Sequence, residues 1–233
     1  IIIDEGVKIV FTSAGNPKKY TSLLHDNGIT VAHVVANKRF ALKCLEANVD
    51  VIVAEGFEAG GHNGIEEITT MCLIPMIRDV INIPLIAAGG ISSGKSMLAA
   101  MILGADGVQI GSRFAASYES SAHDKFKQEI INANEGDTEL TLKELTPVRM
   151  MKNNFYNKIQ EAYAKNASKE QLSNLLGRGR AKKGMFEGDL HNGELEIGQI
   201  SAIINNIKPV SEIMSNIIEE YKLILSNLKS YQL

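Results

Sequence analysis

Along the first half of this chain, apolar residues gather in short, nearly unbroken runs. Between the runs they fall at helical spacing. The runs cover residues 7–12, 29–35, 50–54, 84–88 and 106–110. They are rich in Val and Ile and lack strict alternation, the pattern of parallel strands covered on both faces. Residues 18–27, 38–47, 67–80 and 94–103 carry apolar positions at helical period, and Gly28 and Gly104 stand where the first and last of these helices should end. Strands about 20 to 30 residues apart with helices between them predict repeated βα units. Such a series builds either a barrel or an open doubly wound sheet, and periodicity does not choose between them. Residues 1–5 read as the tail of a helix closed by Gly6, so the sequence is expected to begin inside a domain.

The rhythm changes after Phe114. Residues 121–133 predict a polar helix, and one more short strand is expected within 138–148. Residues 153–188 are helical, polar and charged, interrupted by Gly177, Gly179 and Gly184, and read as a lid or insertion over one end of the core. Apolar residues return at helical spacing over 198–227, from Ile200 and Ile203 to Tyr221 and Leu225, and predict closing helices. The expected organisation is a ligand-binding α/β portion at 1–134, a lid at 135–197 and C-terminal helices packing back at 198–233.

Composition narrows the class. The 233 residues suffice for one large α/β domain, and 45% hydrophobic with 22% charged residues is ordinary for a globular chain. A net charge of -3 supplies no electrostatic reason to expect nucleic acid. Cys44 and Cys72 have neither zinc-ligand spacing nor a disulfide framework, so no metal site is expected, and two reduced thiols suit a cytoplasmic protein. No apolar run reaches the ~18 residues of a membrane span, and no signal-peptide pattern opens the chain.

Candidate chemistry lies where strands hand over to helices. Ala88-Gly89-Gly90 and Ile110-Gly111-Ser112 follow two consecutive strands. Without a Cβ the backbone can approach an anion, and free amides at a helix start can grip phosphate. In (β/α)₈ barrels the recurring phosphate site follows strands 7 and 8, which these two turns would match. Upstream, Glu55-Gly56-Phe57-Glu58-Ala59-Gly60-Gly61-His62-Asn63-Gly64 leaves the preceding strand. Such a loop can lie against a planar ligand and would expose His62 at a strand end, where barrel enzymes keep catalytic groups. The bland alternative is a turn histidine bonded to its own backbone. Glu55, or Glu58 in its place, could accept from a ligand hydroxyl. His25, His123 and His191 read as surface residues, and His33 as a core or strand-end histidine.

The strings Glu58-Ala59-Gly60-Gly61-His62, Ile86-Ala87-Ala88-Gly89-Gly90-Ile91 and Gln109-Ile110-Gly111-Ser112-Arg113-Phe114, with Thr12-Ser13-Ala14-Gly15-Asn16-Pro17 before them, resemble the nitronate monooxygenase (2-nitropropane dioxygenase) family, which includes the FMN-dependent enoyl-acyl-carrier-protein reductase II. Lys183-Gly184-Met185-Phe186-Glu187-Gly188-Asp189 and Gly198-Gln199-Ile200-Ser201 resemble the reductase branch. The resemblance implies an α/β (β/α)₈ TIM barrel that lacks its first strands here, with FMN bound in the 1–134 portion. By motif position, Ala88, Gly89, Gly90, Gly111 and Ser112 would hold the FMN phosphate. Glu55 and Gly60 would lie along the ribityl chain or flavin, and His62 would be the acid/base or substrate-orienting residue. The family's opening strand and glycine-rich segment are missing, so the flavin pocket as written is incomplete.

The resemblance further implies NADH or NADPH as co-substrate, an acyl-carrier-protein thioester as substrate and a homodimer, with no nucleic-acid or membrane partner. The basic cluster Arg178, Arg180, Lys182 and Lys183 could meet an acidic carrier or a dinucleotide phosphate, or could be a solvated lid surface. The expected activity is enoyl-thioester reduction. Its alternatives are nitronate oxidation with oxygen and a non-catalytic barrel that retains only a phosphate site.

Overall fold

The computed structural model describes residues 1–228, and residues 229–233 of the expected C-terminal helices lie outside the described residues. In chain order its elements are β1 (Ile9–Thr12), α1 (Thr21–His25), β2 (Thr30–Val35), α2 (Lys38–Glu46), β3 (Val51–Glu55), β4 (Gly61–His62), α3 (Thr70–Arg78), β5 (Leu85–Ala88), α4 (Gly94–Ile102) and β6 (Gly107–Gln109). Then follow α5 (Ser112–Ala115), α6 (Asp124–Asn132), β7 (Thr138–Thr141), β8 (Val148–Met151), α7 (Asn154–Ala164), α8 (Lys169–Leu176) and α9 (Val210–Leu228).

The five predicted parallel strands are all present and pair in the order β1-β2-β3-β5-β6. This order resolves the ambiguity that periodicity left. A doubly wound sheet reverses direction at a switch point. Here every crossover advances the chain the same way across the sheet, as along an arc of a (β/α) barrel. Helices α2, α3 and α4 cover one face, where Ile52, Leu73, Ile74, Ile77 and Leu85 are fully buried in one apolar cluster. Each such side chain contributes about 1.5–3 kcal/mol by leaving water.

Two expectations need correction. The single strand within 138–148 is two strands, β7 and β8, antiparallel, with β4 added on the far edge of β8. The turn between them carries no glycine, because its left-handed position is taken by Leu142 at φ 54°. Within the turn the sequence offers one breaker, Pro147, directly before β8. The helix expected at 18–27 is a 3₁₀ turn at Pro17–Lys19 followed by the short α1, because Asn16 Oδ1 accepts from the Lys18 amide and starts a separate turn.

The 153–188 region is helical as expected, and α7 and α8 have their own apolar cluster with β8, centred on Met150, Phe155, Ile159 and Leu172. A third cluster joins α6 to the extended segment around Leu195 and Ile197. No helix among the described residues is long and apolar enough to cross a membrane.

Candidate active site

Strand register sets the site. Glu55 ends β3 and pairs with Ala88 at the end of β5, which in turn pairs with Gln109 at the end of β6. The three glycine-bearing loops therefore leave one end of the sheet side by side. Ala88, Gly89, Gly90, Gly111 and Ser112, together with Glu55 and Gly60, line a single cleft of about 320 Å³.

The glycines in this cleft are glycine for different reasons. Gly89 and Gly90 have φ of 91° and 70°, and a Cβ on Gly89 would stand 2.8 Å from the Gly56 carbonyl oxygen. At Gly111 a Cβ would meet nothing within 4 Å, so the backbone there is bare and open to a ligand. At Gly60 a Cβ would lie 2.4 Å from the Ile197 carbonyl carbon. Its small size is demanded by the chain crossing over it, whatever else it touches. Ser112 Oγ accepts from the Gly198 amide at 3.0 Å, which leaves the hydroxyl proton available to an anion. The first amides of α5 have no partner within the helix. These residues suit a phosphate group.

Three carboxylates also line this cleft, Glu55, Glu58 and Glu196. Fully ionised they would repel a phosphate, and their surroundings relieve the conflict. Glu58 accepts from the Thr70 amide at 3.1 and 2.9 Å and from the Thr70 hydroxyl at 2.9 Å. It therefore anchors the first turn of α3, and of the two candidates Glu55 is the one left to face a ligand. Burial pushes Glu55 up to about 7 and raises Glu196 as well, against the opposing charge of His62. A protonated carboxyl group donates as well as accepts.

His62 lines two cavities, each of which shares a carboxylate with the glycine cleft. With Glu55 it lines one of about 550 Å³, and with Glu196 one of about 210 Å³, while Glu55 and Glu196 share the glycine cleft. The histidine is exposed, and no bond to its own backbone holds it. Its strand is fixed instead by pairing with Val148 and by Asn63, whose side-chain amide donates to the carbonyls of Ala59 and Gly61 at 2.9 and 3.0 Å.

Sequence reasoning passed over several of these residues. Asn63 was read only as part of the loop. Arg149 is 1% exposed, and its guanidinium reaches into the glycine loop at Phe57. Glu194 and Glu196 form an acidic-apolar alternation with Leu195 and Ile197, the one signal that could have placed two carboxylates on one face of an extended segment. Burial, reinforced by Glu196, pushes Glu194 up to about 7.

The basic cluster disperses. Arg180 donates to the carbonyls of Leu175, Leu176 and Asn192, and Lys182 and Lys183 pair with Glu187 and Asp189. His33 is buried and hydrogen-bonded to Thr12 Oγ1 at 2.7 Å. His25 pairs with Asp50, and His123 Nδ1 accepts from the Lys125 amide.

Fold and cleft together describe a barrel-type α/β chain with a glycine-lined cleft and a histidine near it at the strand ends. Residues 1–220 match the family model for nitronate monooxygenase, and the chain belongs to that family. A probable nitronate monooxygenase of Staphylococcus saprophyticus is 32% identical over 236 residues, covering 92% of this chain and 66% of that protein. One of Staphylococcus aureus is 34% identical over 204 residues, covering 84% of this chain and 55% of its own length. This chain thus spans less than two thirds of these curated relatives. The structure of FabK from Thermotoga maritima superposes with a TM-score of 0.92 at 40% identity, covering 99% of this chain and 73% of that one.

Proposed function

We propose that this chain is the greater part of an FMN-dependent enoyl-acyl-carrier-protein reductase that uses NADH or NADPH. The observation that carries the reading is the likeness to FabK, an enoyl reductase, at 40% identity over 99% of the chain. It exceeds the 32% and 34% shared with the curated nitronate monooxygenases. The glycine cleft supports the cofactor half of the reading. The amides of Gly89, Gly90 and Gly111 and the Ser112 hydroxyl would hold the phosphate, and Glu55 and Gly60 would flank the ribityl chain. FMN, when bound, would relay hydride from the nicotinamide to the β-carbon of the enoyl thioester.

The protein's own part is positional and protic. His62 would deliver a proton to the α-carbon, a task suited to an imidazole, whose ordinary pKa lies near neutrality. Ile197 and Ile200 would wall the cleft from water. The carrier protein and a homodimeric state belong to the same reading. With Arg180 bonded to backbone carbonyls and the exposed Lys182 and Lys183 each paired with a carboxylate, the carrier rests on the FabK likeness rather than on that basic cluster.

The second reading, nitronate oxidation with oxygen, is supported by the family model and the names of the curated relatives. His62 would then orient or deprotonate the substrate. Anaerobic stopped-flow absorbance of the FMN-loaded protein separates the two. Bleaching by NADH and recovery with crotonyl thioester is the expected outcome. Bleaching by a nitronate alone, with recovery in air, would replace the reductase reading by the oxidase one.

A further inference from the structure

The opposite edge of β8 from β7 holds two separate segments. Gly61 and His62 pair with Arg149 and Val148, and Glu196 bridges Met150 while the Met151 amide donates to the Leu195 carbonyl at 2.9 Å. The loop carrying the histidine and the segment carrying Glu196 are therefore laid along one edge of one strand, although 134 positions separate the two residues in sequence (196 − 62). The backbone is shaped for the approach. A Cβ on Gly61 would lie 2.9 Å from Glu196 Oε2, and Gly61 has φ 77°. The positive φ selects glycine at residue 61, and its bare Cα leaves the carboxyl group room beside the residue that precedes His62.

Among the described residues, no hydrogen bond or ion pair occupies the Glu196 carboxyl group. The charges acting on it and its neighbour are few. His62 from β4 attracts Glu196, Glu194 lies beside it on the same segment, and Arg180 draws on Glu194 from the loop after α8. Glu55 faces it across the glycine cleft. His62 and Glu196 also share the cavity of about 210 Å³.

We propose that Glu196 is a positioning residue acting through His62: its carboxyl group accepts the imidazole N–H and so fixes which ring nitrogen faces the larger cavity. The bond closes when substrate fills that cavity, as hydrogen bonds in ligand-free catalytic sites commonly tighten on binding. Burial, which raises Glu196, makes the partnership responsive to the imidazole's charge. The inference rests on His62 being the acid/base residue of the proposed reaction.

The test uses the FMN-loaded protein and two readouts. In turnover, Glu196→Gln is expected to lower kcat on the order of 10-fold with KM little changed, and Glu196→Asp to recover part of the loss. In a His62→Ala background, Glu196→Gln should cost nothing further, because a residue acting through His62 has nothing left to act on. The second readout is the tautomer balance of the His62 ring, followed by ¹⁵N–¹H NMR. With a saturated acyl thioester filling the larger cavity, one dominant tautomer is expected in the wild type and a mixture in Glu196→Gln. Equal losses in both backgrounds, or an unchanged tautomer balance, would overturn the proposal. The NMR readout needs a bound thioester but no turnover. If neither enoyl thioester nor nitronate turns over, the functional reading fails while the tautomer result still decides the role of Glu196.

Discussion

Arg149 Nε and Nη2 both donate to the carbonyl oxygen of Phe57, at 3.1 and 3.0 Å, while the guanidinium lies 4.4 Å from the Phe57 ring centroid. A single buried side chain on β8 thereby clamps the loop that carries Gly60, Gly61 and His62. Its charge is offset at a distance by Glu58, Glu67 and Glu139. Replacing Arg149 by Met removes the two bonds to Phe57, a longer one to Thr138 Oγ1 and the ring contact while keeping most of the volume. The loss is expected to be about 2–4 kcal/mol of unfolding free energy, read by chemical denaturation. Lysine should rescue little, since it cannot form the same fork. Unchanged stability in the Met variant would show that the clamp holds nothing.

Gly60 and Gly111 line the same cleft and should respond oppositely to alanine. At Gly60 the new methyl meets backbone at 2.4 Å. Gly60→Ala is expected to destabilise by about 3 kcal/mol or more, since backbone cannot step aside as a side chain can. At Gly111 nothing lies within 4 Å, so Gly111→Ala should fold with a Tm close to wild type and bind FMN more weakly, on the order of 10-fold, as a methyl crowds the amides offered to phosphate. Fluorescence titration with FMN and a thermal melt on each variant check both halves.

His62→Ala is expected to keep FMN, because the histidine lies outside the glycine cleft, and to lose about 10²-fold or more in turnover. Near wild-type turnover would remove His62 from the chemistry.

Stability should fall with rising pH across a defined window. Glu55 and Glu194 each have an ordinary value of 4.5 and are pushed up to about 7 in the folded chain. Between those values the folded state binds more protons than the unfolded one. The contribution is fully present below about pH 4.5 and is lost as pH rises through 7, up to about 3 kcal/mol for each group. Urea denaturation at pH 5 and pH 8 should show the decline, and Glu194→Gln should flatten part of it. A Glu194→Gln curve parallel to wild type would contradict the assignment.

The parallel strands were legible because both faces of each are covered, which forces near-continuous runs such as 50–54 and 84–88. The glycine turns after β5 and β6 were legible for a local reason too, since a backbone that must adopt φ 91° at Gly89 selects its residue type directly. The antiparallel sheet was not. Its first strand is two residues long, too short for any period, and Leu142 turns the chain without a glycine to announce it.

The candidate site divides along the same line. Glu55, Gly60, Ala88, Gly89, Gly90, Gly111, Ser112 and His62 could each be named from sequence because each lies within a few residues of a strand end. What the sequence by itself determined is thus the series of βα units, the side of the sheet that carries the loops and the residue types in those loops. Only the tertiary structure decided that the strands wind one way without reversing and that Arg149 reaches Phe57. It alone laid Glu196 beside His62 and made Gly60 small for the sake of Ile197. These are contacts between segments remote along the chain. No local propensity encodes them, because they follow from which edge of β8 each segment occupies once the core has closed.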